Sequence, residues 1–366
     1  MACIEFRNLG HAYGQKPGSK AAQSADYALQ PMNMEWRDGG AYALLGPSGC
    51  GKSTLLNIIS GLLLPSEGQV LFDGQDVTHT PTRGRNIAQV FQFPVLYDSM
   101  SVFDNLAFPL RNRKIAEHEV KQRVHEVAEM LDLTPDLKKR ASGLAADAKQ
   151  KISLGRGLVR KDVAAILFDE PLTVIDPHMK WQLRQKLKQI HQQLKLTLIY
   201  VTHDQIEALT FADEVVVMTN GKVVQQAQPE ALFMQPEHTF VGYFVGSPGM
   251  NFLPLRIQGE QILLGDAVLP IAPQQLATLK NLTGALQLGV RPEFVRLAAP
   301  GAPGALETQV LRVQNLGTSQ LLTAQCGAHV LKARLPLEQS IAPGAHWLQV
   351  LTPESLFFCN DIRVGS

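Results

Sequence analysis

Residues 46 to 54 read Gly46-Pro47-Ser48-Gly49-Cys50-Gly51-Lys52-Ser53-Thr54, which fits G-x-x-x-x-G-K-S/T, the phosphate-binding P-loop. The flanks agree with the motif. Residues 41–45 (Ala-Tyr-Ala-Leu-Leu) read as a buried strand before it. Leu55, Leu56, Ile58 and Ile59 form one apolar helical face after it, and Gly61 is placed to end that helix. Strand, glycine loop and helix in this order turn backbone N–H groups and a helix N-terminus toward an anion. The pattern predicts that Lys52 reaches the β- and γ-phosphates of a nucleotide and that the Ser53 hydroxyl binds Mg²⁺. Cys50, inside the loop, is expected to contribute its backbone N–H.

The chain has 366 residues, enough for two domains. Hydrophobic residues make up 45% and charged residues 18%, an ordinary globular balance. A net charge of +1 gives no bulk attraction to nucleic acid or to an anionic membrane. No apolar run approaches the roughly 18 residues a membrane span needs, and the N-terminus lacks a signal-peptide apolar core. The four cysteines (Cys3, Cys50, Cys326 and Cys359) are scattered without C-x-x-C spacing, so metal and disulfide roles are not expected and a reducing cytosol fits.

Up to about residue 240 the pattern alternates. Buried-strand segments are expected at 69–72, 87–91, 164–169, 197–201 and 214–219, and helices at 117–131, 149–160, 179–194 and 204–211. Such alternation predicts an α/β domain with a largely parallel core sheet. Residues 4–13 and 27–36 read instead as an antiparallel layer, joined by a breaker-rich flexible turn at 15–20. After residue 235 long helical periodicity stops, and short apolar segments recur between Gly and Pro at 261–264, 267–270, 286–290, 308–313, 320–324, 329–334 and 346–351. That spacing predicts a small all-β barrel. The expected division is 1–240 and 241–366, with 246–249 (Gly-Ser-Pro-Gly) as linker.

Two further strand ends carry polar groups. Residues 164–171 read Ala-Ala-Ile-Leu-Phe-Asp-Glu-Pro, placing Asp169 and Glu170 at the carboxyl edge of a parallel strand, where open α/β sheets bind ligands. Asp169 would hold the Mg²⁺ shell, and Glu170 would polarise the attacking water as general base. Residues 198–204 repeat the plan and end in His203, placed to hydrogen-bond the γ-phosphate. Taken singly, an acidic pair or a histidine at a strand end is more often a solvated or structural feature. Downstream of a P-loop, the chemical roles are favoured.

With these residues in order, the chain resembles the nucleotide-binding subunit of ATP-binding cassette (ABC) transporters over nearly its whole length. The resemblance implies that Tyr13 stacks on the adenine of ATP and that Gln92 touches Mg²⁺ and senses a membrane subunit. It further implies that Glu170 is the catalytic glutamate, that Asp176 belongs to a loop crossing a dimer interface and that His203 is the switch histidine. The stretches 91–110, 244–254 and 288–293 are similar to the sugar and polyol importer ATPases of bacteria, whose C-terminal domain has an oligonucleotide/oligosaccharide-binding (OB) fold. The resemblance implies permease subunits, an extracytoplasmic solute-binding protein, a place on the cytoplasmic face of the inner membrane, and a small polyol or sugar as solute, a glycerol type being favoured. It implies no nucleic-acid partner.

One element departs. Where the family carries Leu-Ser-Gly-Gly-Gln, this chain reads Leu144-Ala145-Ala146-Asp147-Ala148. The family sandwiches ATP between the P-loop of one subunit and the signature helix of the other. The serine hydroxyl and the two close-approach glycines are lost here, and Asp147 adds negative charge beside a triphosphate. The expectation is a heterodimer in which a second ATPase supplies a complete signature helix. Two other readings compete with an importer ATPase. A regulatory subunit without hydrolysis is disfavoured by the intact Glu170 and His203. A soluble ABC protein outside transport is disfavoured by the single cassette and the β-rich tail. The guanine-reading Asn-Lys-x-Asp motif of small GTPases is absent from the sequence.

Overall fold

Side chains along the second predicted strand alternate between buried and exposed, as a half-solvated antiparallel layer requires. In the computed structural model, which describes residues 2–14, 27–173, 175–339, 341–342 and 344–365, that layer forms. The expected turn at 15–20 lies outside the described residues. In chain order the first part runs β1 (Ile4–His11), β2 (Leu29–Trp36), β3 (Ala41–Leu45), α1 (Lys52–Ser60), β4 (Glu67–Phe72), β5 (Gln75–Asp76), β6 (Ala88–Val90), α2 (Val102–Arg111) and α3 (Glu117–Met130). It continues through α4 (Ala146–Leu158), β7 (Ile166–Asp169), α5 (Pro177–Leu194), β8 (Leu198–Thr202), α6 (Gln205–Phe211), β9 (Glu214–Thr219) and β10 (Lys222–Ala227).

These strands make two sheets. The antiparallel one has the order β2-β1-β4-β5. Residues 69–72, grouped with the core strands from sequence, therefore belong to this layer. The other sheet has the order β10-β9-β3-β8-β7-β6, parallel from β9 to β6 with β10 antiparallel at the edge. Its central strands are buried on both faces, which explains their unbroken apolar runs. Helix α1 packs Leu55, Leu56, Ile58 and Ile59, all at 0% exposure, into the core shared by the two layers. Gly61 closes that helix in the left-handed region (φ 77°), as expected. Arg85 then reaches the same helix end. Its guanidinium is buried and donates to the carbonyls of Ile58, Ile59, Thr78 and Thr80. A cation at a helix C-terminus is favoured by the unsatisfied carbonyls there.

The second part comprises α7 (Pro229–Met234), α8 (Thr239–Phe244), β11 (Asn251–Gln258), β12 (Gln261–Leu264), β13 (Ala267–Leu269), α9 (Pro273–Lys280) and β14 (Leu286–Val290). It ends with β15 (Arg296–Ala298), β16 (Ala305–Asn315), β17 (Gln320–Cys326), β18 (His329–Leu335), β19 (Ala345–Gln349), β20 (Leu356–Cys359) and β21 (Ile362–Arg363). A six-stranded sheet (β13-β12-β11-β14-β20-β21) and a five-stranded one (β15-β19-β16-β17-β18) share a core of Leu253, Ile262, Leu288, Leu322, Leu331 and Leu348. The two compact units of the chain are Met1–Pro229 and Glu230–Ser366.

Residues 246–249, expected as the linker, instead lie inside the second unit. Gly249 approaches Tyr243 so closely that a Cβ there would sit 2.0 Å from the Tyr243 carbonyl oxygen. Arg291 is buried in the same unit with its guanidinium 3.8 Å from the Phe233 ring centroid. Burial lowers its pKa to about 10.

Candidate functional site

The carboxyl ends of three neighbouring parallel strands meet at one edge of the core sheet. β3 ends at Leu45, paired with Thr202 of β8, and β8 in turn pairs Val201 with Asp169 of β7. The P-loop, the Asp169-Glu170 pair and His203 therefore leave the sheet side by side, where a ligand of an open α/β sheet binds.

The P-loop conformation depends on its glycines. Gly49 and Gly51 have φ of 80° and 102°, and Gly51 is the N-cap of α1. At Gly46 a Cβ would stand 2.2 Å from the Met218 carbonyl oxygen. Pro47 and Ser48 complete the turn, and the Cys50 side chain is buried beneath it. Lys52 is nearly buried, and its Nζ donates to the carbonyls of Gly46 (2.8 Å) and Pro47 (2.9 Å). The lysine thus braces the loop from within. A phosphate arriving at the loop would offer it a charged acceptor in exchange for two neutral ones.

Tyr13 lies beside the loop. Its hydroxyl is 3.1 Å from that of Thr54, its ring meets His11 edge-on, and the residue is 62% exposed. An aromatic face left open next to a phosphate loop can stack on a base.

Asp169 lies near Ser53 and Lys52, both of which favour its charged form. Burial above all, and then the charge of Glu170, hold the Asp169 carboxyl above the usual carboxylate range, while Lys52 and Ser53 oppose the shift. A hydroxyl and a half-buried carboxylate are hard oxygen donors, and a cation would relieve the crowding of negative charge. The donor set fits Mg²⁺. In the ligand-free protein this burial costs stability. A carboxyl whose folded pKa exceeds its unfolded one binds its proton more tightly in the native state, so stability falls as pH rises from the unfolded value through the folded one. Asp169→Asn is expected to raise the melting temperature of the nucleotide-free protein by about 1–3 °C near neutral pH. The gain should vanish below about pH 4, where the unfolded chain is protonated too. Thermal unfolding across pH checks this, and an unchanged or lower melting temperature at neutral pH counts against it.

Glu170 has a left-handed backbone (φ 46°), unusual for a residue with a side chain. Its N–H donates to the Val201 carbonyl, and the Thr173 hydroxyl donates to its carbonyl and to Oε2. Backbone strain of this kind costs about 1–3 kcal/mol and persists only where neighbours enforce it. Glu170 Oε1 lies 3.1 Å from His203 Nδ1. His203 is itself positioned by α6, which Asp204 caps through the N–H groups of Ile206 and Glu207. Thr173, which holds Glu170 in place, was missed from sequence. A hydroxyl three residues after an acidic strand end is the available signal.

The other predicted residues fall as follows. Gln92 is half-buried and lies two residues past Val90, which pairs with Phe168 of β7, so it stands at the same sheet edge as Glu170. Asp176 caps α5, accepting from the N–H groups of His178 and Met179. Leu144 and Ala145 precede α4, with Ala145 at the N-cap position and no side-chain hydrogen bond there. Ala146, Asp147 and Ala148 form the first turn. This segment is remote in sequence from the P-loop, and no hydrogen bond joins the two among the described residues.

A family model described as ABC transporter matches residues 29–173, and one described as MalK OB fold domain matches 246–295. The sn-glycerol-3-phosphate import ATP-binding protein UgpC of Pectobacterium atrosepticum is 36% identical over 368 residues, covering 100% of this chain and 99% of that protein. This chain belongs to the ABC transporter ATP-binding family. The protein of the same name from Bordetella pertussis is also 36% identical, covering 93% of this chain and 90% of its own. Among solved structures, cbiO1 from Clostridium perfringens, part of the ABC transporter complex cbiONQ, superposes with a TM-score of 0.57 at 27% identity, over 63% of this chain and 90% of that one. As a member of this family the chain is a transport-coupled ATPase, built from an ABC ATPase domain and a C-terminal OB domain. Among the described residues no helix is long and apolar enough to cross a membrane.

Proposed function

We propose that this ABC ATPase energises import of a small polyol or its phosphate, of the glycerol class, from the cytoplasmic face of the inner membrane. The observation that carries the catalytic part is the convergence of Lys52, Ser53, Asp169, Glu170 and His203 at adjoining strand ends. The solute class rests on the relatives named as sn-glycerol-3-phosphate importers.

In this reading residues 46–54 wrap the phosphates of ATP, Tyr13 stacks on adenine, and Lys52 turns from the loop carbonyls to the β- and γ-oxygens. Ser53, Asp169 and Gln92 hold Mg²⁺, which neutralises phosphate charge when bound. Glu170 accepts a proton from the attacking water, and His203 holds the γ-phosphate oxygen. Asp176, besides capping α5, faces a second ATPase subunit. Permease subunits dock near Gln92, and an extracytoplasmic binding protein delivers the solute.

The assembly in this reading is asymmetric, a heterodimer with a second ATPase. Its support is the composition of residues 144–148. The names of the relatives speak of ATP-binding import proteins and do not bear on a second ATPase.

Cells lacking this chain are expected to lose ATP-driven uptake of labelled glycerol or glycerol phosphate, and to regain it on complementation. If a disaccharide's uptake were lost instead and polyol uptake kept, the solute assignment would be overturned.

A further inference from the structure

The second unit contains a cavity of about 480 Å³, within the usual size of small-ligand sites. Leu253 and Leu264, both core residues, form its apolar floor. Asp266, in the turn between β12 and β13, and Glu307, on β16, bring two carboxylates to its lining. Glu307 is the direct cross-strand partner of Trp347 on β19, so the two side chains rise on one face of the sheet. His329, at the start of β18, completes the polar side.

The charge of this cavity is one-sided. No lysine or arginine lines it, and among the described residues neither Asp266 nor Glu307 is held in an ion pair. A bare metal ion is a poor match, because no group of three or more His, Cys, Asp or Glu among the described residues could hold one. Cys326 adds no charge, since burial pushes its thiol pKa up. What remains is an apolar floor, an indole, an imidazole and two exposed carboxylates without a lysine or arginine partner among the lining residues.

We propose that this cavity binds a small primary organic ammonium ion with an apolar stem. The ammonium head donates charge-assisted hydrogen bonds to Glu307 and Asp266. The stem covers Leu253 and Leu264, and the indole of Trp347 faces the cation. A neutral polyol fits less well, because it would cover both carboxylates without supplying a positive charge.

The test is calorimetric titration of the full-length chain with n-butylammonium chloride at low ionic strength, alongside glycerol and sodium chloride. Saturable n-butylammonium binding is expected, with negligible heat from the other two. Glu307→Gln and Trp347→Leu are each expected to weaken it about tenfold, as loss of one such contact would. Circular dichroism and thermal unfolding of each variant, compared with the wild type, verify that the second unit is folded. Absence of saturable n-butylammonium binding overturns the proposal. So does undiminished binding in a folded Glu307→Gln variant, and so does glycerol binding more tightly than n-butylammonium at the cavity.

Discussion

Glu170→Gln is expected to lower ATP turnover about 10²–10⁴-fold while leaving ATP affinity nearly unchanged, the range a positioned general base contributes. The substitution keeps the shape of the side chain and an acceptor for the Thr173 hydroxyl, which lies 3.3 Å from Oε2. It also keeps the backbone hydrogen bond to Val201, so the strained turn at φ 46° has no new reason to relax. What it removes is the capacity to take a proton. A neighbouring alternative base is His203, whose Nδ1 lies 3.1 Å from Glu170 Oε1 and whose side chain is 54% exposed. In the proposed roles His203 is committed to the phosphate, so it cannot also accept the proton from water. Phosphate release and nucleotide affinity measured together separate the outcomes. A loss of both would mean that Glu170 holds the site together, and turnover near the wild-type rate would remove it from the chemistry. In cells, solute uptake should fall with turnover.

The candidate site was legible where the sequence encodes strand ends. The apolar runs before Gly46, Asp169 and His203 are buried on both faces, so each declares itself without periodicity, and the polar residue that follows marks the ligand edge. The φ of Glu170 was not legible, because it depends on a hydrogen bond to Val201, a contact across the sheet. Helix α2 was missed although Ser101-Val102-Phe103-Asp104 carries its start. Ser101 caps the helix by accepting from the Asp104 N–H, while Pro109 inside the helix argues against it from sequence. Helix α9 was missed similarly, and Pro273 in its first turn was the cue. Residues 246–249 read as a linker because Gly and Pro break local structure equally well when packed. Only tertiary contact distinguishes the two, as Gly249 against Tyr243 shows. Asp176 shows the converse difficulty. Asp before Pro177 is a strong capping signal, and the cap forms, so the residue has a structural reason to be there whether or not it also meets a second subunit.

Restoring residues 144–148 should produce the opposite change. Ala145→Ser, Ala146→Gly, Asp147→Gly and Ala148→Gln, combined, are expected to raise ATP turnover of the purified chain about 10²–10³-fold, the effect of regaining one transition-state donor worth about 2–4 kcal/mol. The structure makes the trade explicit. Ala145 sits at the N-cap of α4 without a side-chain hydrogen bond, so serine there would also cap the helix, worth about 1 kcal/mol. Asp147 lies in the first turn, where a carboxylate favours the helix dipole by about 0.3–1 kcal/mol. Its retention therefore suits the helix, and in the proposed assembly it would harm only a phosphate approaching from another subunit. Removing it and adding the serine exchanges one modest helix-stabilising term for another, while the two new first-turn glycines cost about 0.5–1 kcal/mol each, so fold stability should fall by about 1–2 kcal/mol while turnover rises. That separation is what thermal unfolding and phosphate release, measured on the same variant, would detect. A wild-type chain that alone hydrolyses ATP as fast as the restored one would show that its segment 144–148 already serves a nucleotide, and the need for a second ATPase would disappear. A slow wild-type chain that speeds up on mixing with a second ATPase carrying the intact motif would place the productive site between this P-loop and the other subunit's helix.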